Sequence, residues 1–162
     1  MPEPNDTRRP LLLTFDVEEF TWPLELGHSI SVAEQLAVTR RGLNLVLPIL
    51  ARHRTPATFF VTGTFAAAEA AGVAEIVSRG HEVGVHGLSH ADDYASMPLA
   101  RAIERLRRAR DIVAQAAGQA LVGVRTPRLR VCAGRVLSEA GFAYDASVHP
   151  TWVWGRYHNM DR

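Results

Sequence analysis

The sequence has little of several features that would place it in a specialised class of protein. It has one cysteine, Cys132, so it cannot form an internal disulfide, which fits a reducing compartment. No apolar run approaches about 18 residues, so no segment is predicted to span a membrane. The formal net charge is +1 and all 18 basic residues are arginine. A charge this small creates no field that attracts nucleic acid, so nucleic acid is not expected as a partner.

The N-terminus also lacks the apolar core of a signal peptide. Residues 1–10 form a polar tail before the first apolar run. We therefore expect the chain to remain in the cytoplasm. Residues 11–162 contain no repeat, linker or low-complexity segment, and this length is sufficient for one domain with a buried core.

Short apolar runs alternate with helical patterns along the chain. The predicted strands cover residues 11–16, 57–62, 82–86, 121–125 and 142–145. The predicted helices run from a Ser31/Glu34 capping box to Leu50 and over residues 75–79, 98–117 and 132–140. Pro48 is predicted to kink or restart the first of them. This alternation predicts an α/β fold with a parallel sheet.

Five strands are too few to close a barrel. The chain is therefore expected to lack its C-terminal strands, to expose an open sheet edge and to self-associate through that edge. The helix over residues 98–117 also carries the densest basic run, which consists of Arg101, Arg105, Arg107, Arg108 and Arg110. We interpret this run as a solvated face rather than a phosphate-binding patch.

Two histidines stand close together, His86 at a predicted strand end and His90 in the turn that follows. A carboxylate from another strand end would complete a site of two histidines and one acid, with a position open for water. The alternative is two polar loop histidines with no joint role. His81 and Glu82 do not begin a zinc-protease motif of the form His-Glu-x-x-His, because Val85 stands where its second histidine would be.

The first predicted strand ends in a run of acids. Strand alternation places Asp16 and Glu18 on one face and Val17 and Glu19 on the other. Two acids on one side suit a division of labour in which one binds a metal ion and the other takes a proton from water. A solvated strand end is the alternative.

Three segments occur in order at suitable separations: residues 14–16 read Thr-Phe-Asp, residues 58–61 read Thr-Phe-Phe-Val, and residues 80–90 read Gly-His-Glu-Val-Gly-Val-His-Gly-Leu-Ser-His. Together they resemble the polysaccharide deacetylase domain, carbohydrate esterase family 4, over nearly the whole chain from Leu11. The resemblance implies a parallel β/α barrel-like fold, present here as an N-terminal portion of about five βα units.

The resemblance also implies site residues. It implies that His86 and His90 bind a divalent metal ion, with zinc expected, and that Asp16 is the catalytic base. Most members of the family have a metal-binding aspartate directly after the base, where this chain has Val17. Some members place that acid one residue later, which makes Glu18 the candidate for the third ligand.

Further positions follow from the resemblance. Arg125 matches the arginine that holds the base, Pro127 matches a residue that shapes the substrate groove, and Asp145 lies near a motif whose acid supports a catalytic histidine. That histidine, the catalytic acid, is expected beyond residue 162. His149 and His158 are present, but neither stands in a matching strand context.

We therefore expect a metal-dependent hydrolase that removes N-acetyl groups from a polysaccharide or sugar conjugate by cleaving an amide bond. The missing acid makes the activity of this chain on its own an open question. Two alternatives remain: a sugar-binding or scaffold protein that has lost turnover, and a metal-free hydrolase of the same fold, suggested by Val17.

Overall fold

Five parallel strands form the main sheet, and they pair in the order in which they occur along the chain. The computed structural model describes residues 11–148 and the backbone of residues 152–153 and 157–158. The sheet consists of β1 (Thr14–Val17), β2 (Thr58–Val61), β3 (Glu82–Val85), β4 (Gly123–Val124) and β5 (Tyr144–Asp145). An antiparallel pair, β6 (Trp152–Val153) and β7 (Tyr157–His158), follows it and was not predicted. The predicted α/β fold with a parallel sheet is confirmed.

Helices connect the strands of the sheet. They are α1 (Trp22–Glu25), α2 (Val32–His53), α3 (Gly63–Ala68), α4 (Ala70–Ser78), α5 (Leu99–Ala117) and α6 (Gly134–Glu139), with a short 3₁₀ helix at Pro127–Leu129. Of these, α1 and α3 were not predicted, since neither is long enough to show a helical period. Within the described residues, no helix combines the length and the apolar character that crossing a bilayer requires.

The helix ends follow the predicted capping signals. The Ser31 hydroxyl accepts from the Glu34 backbone N–H, and the Glu34 carboxylate accepts from the Ser31 backbone N–H, which completes the capping box of α2. The same helix continues through Pro48 to His53, so the predicted restart at this proline is wrong. At the end of α5, Gly118 adopts a left-handed conformation with φ of 67°, which glycine adopts at little cost.

Apolar side chains fill the space between the sheet and its helices. Phe59, Val61 and Val85 on the strands are fully buried, and so are Leu106 and Val113 on α5. Burial of this kind stabilises the fold by about 25 cal/mol per Å² of apolar surface removed from water. The core therefore lies between one face of the sheet and the helices, and the opposite face carries Phe60 together with polar side chains.

The predicted first strand is too long at its start. Leu11 and Leu12 are 88% and 85% exposed, and pairing with β2 begins only where Thr14 lies opposite Thr58. An apolar run predicts burial only where a partner strand and a helix cover it, and these two leucines precede that cover. The observed strand starts three residues later and ends one residue later than predicted, so Asp16 lies one residue before its end.

The sheet curves strongly toward its polar face. Arg125, directly after β4, bonds to Thr14 and Asp16 of β1, although two strands lie between. In a flat sheet strands β1 and β4 would be about 14 Å apart, at roughly 4.8 Å for each step, which is farther than an arginine side chain extends. The sheet is therefore curled like part of a barrel wall, as expected for this fold.

A second contact across the same face explains a glycine. The Tyr144 hydroxyl on β5 donates to the Glu82 carboxylate on β3 over 2.8 Å, passing over β4. A Cβ at Gly123 would lie 2.2 Å from the Tyr144 hydroxyl oxygen. Only glycine at this position lets the tyrosine cross the strand between.

The loop between β3 and α5 is held from two sides. On one side the backbone N–H groups of Gly63 and Thr64 donate to the carbonyl oxygens of Gly87 and Leu88, over 2.9 and 2.8 Å. On the other side the Tyr94 hydroxyl accepts from the Leu88 backbone N–H over 2.8 Å. These bonds fix the chain between His86 and His90.

Asp92 anchors the second side of this loop. Its buried carboxylate accepts from the Tyr94 hydroxyl over 2.7 Å, from the Arg105 guanidinium over 2.6 Å and from the Ser89 backbone N–H over 3.3 Å. Burial and the bond to Asp92 both raise the pKa of the Tyr94 phenol, so the hydroxyl stays protonated and remains a donor.

The arginines of α5 are therefore only partly a solvated face. Arg105 holds Asp92, while Arg107 and Arg110 donate to the carbonyl oxygens of Glu139 and Ala140 at the end of α6. The run is thus a solvated face at the exposed Arg101, Arg107 and Arg108, while Arg105 and Arg110 are partly buried against neighbouring elements. Helical periodicity separates apolar from polar faces, but it does not show which polar side chains find partners on a neighbouring element.

His81 is buried at the opposite end of the sheet without a hydrogen-bond partner among the described residues. Neither ring nitrogen is bonded, and the ring packs against Phe59 with centroids 5.3 Å apart. Burial and the neighbouring positive charge of Arg79 lower the pKa of His81 below its usual 6.5. The neutral ring is therefore the form that the folded protein accommodates.

We expect this histidine to destabilise the protein in mild acid. Because its pKa is lowered in the folded state, the unfolded chain binds the proton more readily, and the free energy of unfolding falls as the pH drops below about 6.5. His81→Phe should reduce the loss of stability between pH 7 and pH 5, measured by denaturant unfolding. His53→Phe, at an exposed position, is the control. An equal loss in both variants would contradict this role.

Asp92→Asn should destabilise the fold and loosen the loop after β3. The change keeps the volume but removes the charge that Arg105 faces and one acceptor, which we expect to cost about 1–3 kcal/mol. Thermal unfolding gives the stability, and hydrogen exchange at the Leu88 and Ser89 amides gives the loop mobility. Asp93→Asn, which alters an ion pair with the exposed Arg130, should stay within ~1 kcal/mol of the parent. Equal effects of the two changes would show that the buried network does not hold the loop.

Candidate active site

Charged and polar side chains meet at the carboxyl-terminal edge of the sheet. Asp16 lies in β1 and Glu18 follows that strand, His86 directly follows β3, and Arg125 directly follows β4. His90 lies in the same loop as His86. Parallel strands end side by side at one edge, so residues far apart in sequence come together there. The structure brings together all five side chains that sequence analysis connects with metal binding or proton transfer.

Arg125 fixes the position of the Asp16 carboxylate. Its Nη1 donates to Asp16 Oδ1 over 2.8 Å and its Nη2 donates to Thr14 Oγ1 over 3.0 Å. Its Nε donates to the Ala146 carbonyl oxygen over 3.2 Å, and the guanidinium carbon lies 4.4 Å from the centre of the Phe60 ring. A planar guanidinium held on its edge and its face cannot turn, so the carboxylate that it binds is aimed in one direction.

His86 is the most buried polar side chain of the site, at 1% exposure. Its Nδ1 lies 2.9 Å from the backbone carbonyl oxygen of Arg125, which can only accept, so Nδ1 carries the proton. Nε2 then presents a lone pair in the neutral ring. It lies 3.0 Å from Glu18 Oε2 and 3.9 Å from Asp16 Oδ2.

His90 approaches the same glutamate from the other side. Its Nε2 lies 3.3 Å from Glu18 Oε1, and its Nδ1 lies 2.9 Å from Thr21 Oγ1. Burial lowers the pKa of His90, and the negative charge of Glu18 opposes that effect. The neutral imidazole is favoured near pH 7, and this is the form that binds metal ions. Thr21 was not predicted, because a threonine in a loop gives no local signal of a partner 69 residues away.

The alternation predicted at the end of β1 agrees with the positions of its acids. Glu18 faces both histidines, whereas Glu19 is buried on the other side and accepts from the Thr62 hydroxyl over 2.7 Å. Thr62 in turn caps α3 by accepting from the Phe65 backbone N–H. Glu19 therefore ties the end of β1 to the end of β2 and does not reach the two imidazoles through any described bond.

The donor chemistry of the site fits a divalent cation. Within residues 11–148, no set of three or more His, Cys, Asp or Glu side chains already surrounds a metal position. However, Nε2 of His86 faces a Glu18 oxygen over 3.0 Å, and either a proton on the ring or a cation between the two atoms would make this contact favourable. Two imidazole nitrogens and one carboxylate are the donors of open zinc sites. Ligand atoms of a tetrahedral zinc ion lie about 3.3 Å apart, close to the spacing of His90 and Glu18.

A cleft of about 450 Å³ opens directly above these residues. Four of the predicted site residues line it: Asp16, Glu18, His86 and His90. The remaining wall consists of residues of α1, α2, the 3₁₀ helix and the end of the loop before α1, which sequence reasoning missed: Phe20, Thr21, Trp22, Glu25, Thr39, Arg128 and Leu129. The size is that of a small-molecule site, and the wall combines aromatic and charged groups.

The other predicted positions lie away from the cleft wall. Pro127 is buried behind it, close to Gly87, and the neighbouring residues of the same 3₁₀ helix reach the cleft. Asp145 accepts from the backbone N–H of Ser147 over 2.8 Å and stabilises the turn after β5. Their roles in the groove stay predictions. His149 lies outside the described residues, and of His158 only the backbone in β7 is described.

Comparison with known proteins agrees with this architecture. A chitooligosaccharide deacetylase of Bradyrhizobium sp. (strain ANU 289) is 47% identical over 47 residues, which are 29% of this chain and 22% of that protein. The matching enzyme of Sinorhizobium fredii gives the same values. The chain thus aligns with less than a quarter of these curated relatives.

Solved structures share the fold. A Mycobacterium smegmatis protein assigned as a polysaccharide deacetylase matches with a TM-score of 0.70 and 27% identity, over 83% of this chain and 49% of that one. A carbohydrate esterase family 4 pseudoenzyme from Bacillus anthracis matches with a TM-score of 0.61 and 21% identity, over 80% of this chain and 38% of that one. The polysaccharide deacetylase family profile matches residues 4–144, and with this match over most of its length the chain belongs to the polysaccharide deacetylase family.

Proposed function

We propose that this protein is a metal-dependent hydrolase that removes N-acetyl groups from a polysaccharide or sugar conjugate. The observation that carries the proposal is the placement of the Asp16 carboxylate. It is fixed by Arg125 and faces a cleft in which His86, His90 and Glu18 meet. The curated relatives are chitooligosaccharide deacetylases, which supports an acetylated amino sugar as the substrate class.

His86, His90 and Glu18 would hold the ion. When bound, a divalent ion supplies Lewis-acid chemistry that polarises an acetyl carbonyl and lowers the pKa of a water toward ~7. The hydrogen bond from His86 Nδ1 to the Arg125 carbonyl oxygen leaves Nε2 available as the atom that would bind the ion. Since the same arginine also holds Asp16, the ligand set and the base share one support.

Asp16 is placed to act as the general base. Its Oδ2 is turned toward His86 while its Oδ1 is held by Arg125, so Oδ2 can take a proton from a water in the cleft. The water oxygen then bonds to the acetyl carbon, the nitrogen takes up a proton from solvent, and the carbon–nitrogen bond breaks to release acetate and the amine. Among the described residues, the only histidines that line the cleft are the two proposed ligands, so neither is assigned as the acid.

The assignment of the three ligands can be tested by metal analysis. Elemental analysis and titration with a competing chelator should show one divalent ion per chain, and the double change His86→Ala, His90→Ala should abolish binding. Glu18→Gln should weaken the affinity by about 100-fold or more, since loss of an outer partner alone typically costs ~10–100-fold. Glu19→Gln is the matched control, because its side chain lies on the opposite face and can still accept from Thr62.

Two outcomes would contradict the metal assignment. One is a stoichiometric ion that survives loss of both histidines. The other is an equal fall in affinity for Glu18→Gln and Glu19→Gln in variants that unfold at the parent temperature. The second outcome would mean that the faces of β1 do not divide the two acids as described.

Asp16→Asn should abolish acetate release while the ion stays bound. The change removes the proton acceptor and little volume, and loss of a general base costs about 10²–10⁴-fold in rate. Acetate is measured with N-acetylglucosamine oligomers as substrate and the ion by elemental analysis. Asp111→Asn, at an exposed position on α5, is the control. Activity within tenfold of the parent would exclude Asp16 as the base, whereas a parent that binds both oligomer and ion without releasing acetate would favour the sugar-binding alternative.

A further inference from the structure

Two exposed aromatic side chains lie on the wall of the cleft. Phe20 and Trp22 are 38% and 47% exposed, and both line the same cleft as Asp16 and His86. Single exposed aromatic residues are common on protein surfaces and need no explanation. A pair that borders a cleft beside a proposed catalytic carboxylate is different, because aromatic rings in such positions contact ligands.

Trp22 is held in register with the site. It is the first residue of α1, and the residue before it, Thr21, is within hydrogen-bond distance of His90 Nδ1 at 2.9 Å. Pro23 restricts the backbone at the start of this helix, and its carbonyl oxygen accepts from the His28 backbone N–H over 2.9 Å. The backbone of Trp22 is therefore held on one side by Thr21, which is bonded to a proposed metal ligand, and on the other side by the turn that starts at Pro23.

An ion pair joins this helix to the loop after β4. Arg128 Nη2 lies 3.0 Å from Glu25 Oε1, across 103 residues of sequence. Arg128 and Leu129 both adopt positive φ, 57° and 52°, a conformation that is uncommon for residues other than glycine. Both also line the cleft. Strained backbone of this kind clusters at ligand sites, where the surrounding structure maintains it.

The composition of the wall matches one ligand chemistry. A pyranose ring has an apolar face of C–H groups and an edge of hydroxyl groups. Phe20, Trp22 and Leu129 offer apolar surface to the face, and Glu25 and Arg128 offer an acceptor and donors to the edge. A purely apolar ligand would remove water from this ion pair without replacing its hydrogen bonds, which is costly.

We propose that Phe20 and Trp22 form a stacking platform for the sugar ring next to the acetylated ring. The Glu25–Arg128 pair holds this platform in place and forms hydrogen bonds to the hydroxyl groups of the sugar. This inference rests on the proposed function, since it takes an acetylated sugar chain as the occupant of the cleft. In this proposal, α1 and the 3₁₀ helix at Pro127–Leu129 are the elements that select oligomers over single sugars.

Calorimetric titration with two probes tests the platform. The probes are a soluble β-1,4-linked N-acetylglucosamine tetramer and the monomer, and the Asp16→Asn protein is the background so that no turnover occurs. Trp22→Ala should raise the Kd of the tetramer about tenfold or more, because it removes the ring on which the neighbouring sugar stacks. Monomer binding should change less than twofold. Trp22→Phe, which keeps a ring, should restore most of the tetramer affinity.

Leu24→Ala is the matched control, since Leu24 lies on the same helix, is also 47% exposed and does not line the cleft. It should leave both Kd values within twofold of the background. A tetramer affinity that Trp22→Ala leaves unchanged would overturn the platform, and so would an equal loss for tetramer and monomer or a background protein that binds neither. Absence of acetate release by the parent protein would count against the proposed function but not against the platform, because calorimetry measures the platform without turnover.

Discussion

The curvature of the sheet and the geometry of the site both depend on the hydrogen bonds that the Arg125 side chain makes to β1. This side chain starts after β4 and reaches β1, so its bonds to Thr14 and Asp16 exist only if the sheet curls. Its backbone carbonyl also sets the tautomer of His86. One residue therefore connects the shape of the fold with the orientation of a proposed base and a proposed ligand. The guanidinium lies against Phe60 with 15% of its side chain exposed, a setting in which charged hydrogen bonds are stronger than in water.

The loop between β3 and α5 positions two histidines although it has no regular secondary structure of its own. Its rigidity comes from polar groups on both sides, the amides at the start of α3 and the buried Asp92 that Arg105 balances. A buried carboxylate without a cation would be strongly unfavourable, so Asp92 depends on its bond to Arg105. The position of His90 thus depends on residues of α5 that never reach the cleft.

The sequence was informative where polar residues follow short apolar runs. Asp16, His86 and Arg125 could be placed at one edge of the sheet because each ends a predicted strand and parallel strands share that edge. Trp22 and Arg128 could not be placed, because they lie in connections whose conformation depends on partners far away in the chain. The predicted burial of Leu11 and Leu12 was wrong, because apolar character is a local property whereas exposure depends on which elements pack against the residue. Periodicity therefore predicts the helices and strands and where they end, whereas tertiary contacts determine which residues of the connections line the cleft.

The proposed third ligand, Glu18, stands one position beyond Val17, and the alternation of β1 explains this placement. Val17 alternates away from the cleft and fills the core at 2% exposure, so a ligand at that position would need a local rearrangement of the strand end. Glu18 returns to the face of Asp16 but lies past the last paired residue of β1, farther along the strand. The extra methylene of glutamate spans that distance, and its two oxygens reach His86 and His90 at 3.0 and 3.3 Å. The backbone beside Glu18 is fixed by its neighbour Glu19, whose buried carboxylate accepts from the Thr62 hydroxyl over 2.7 Å.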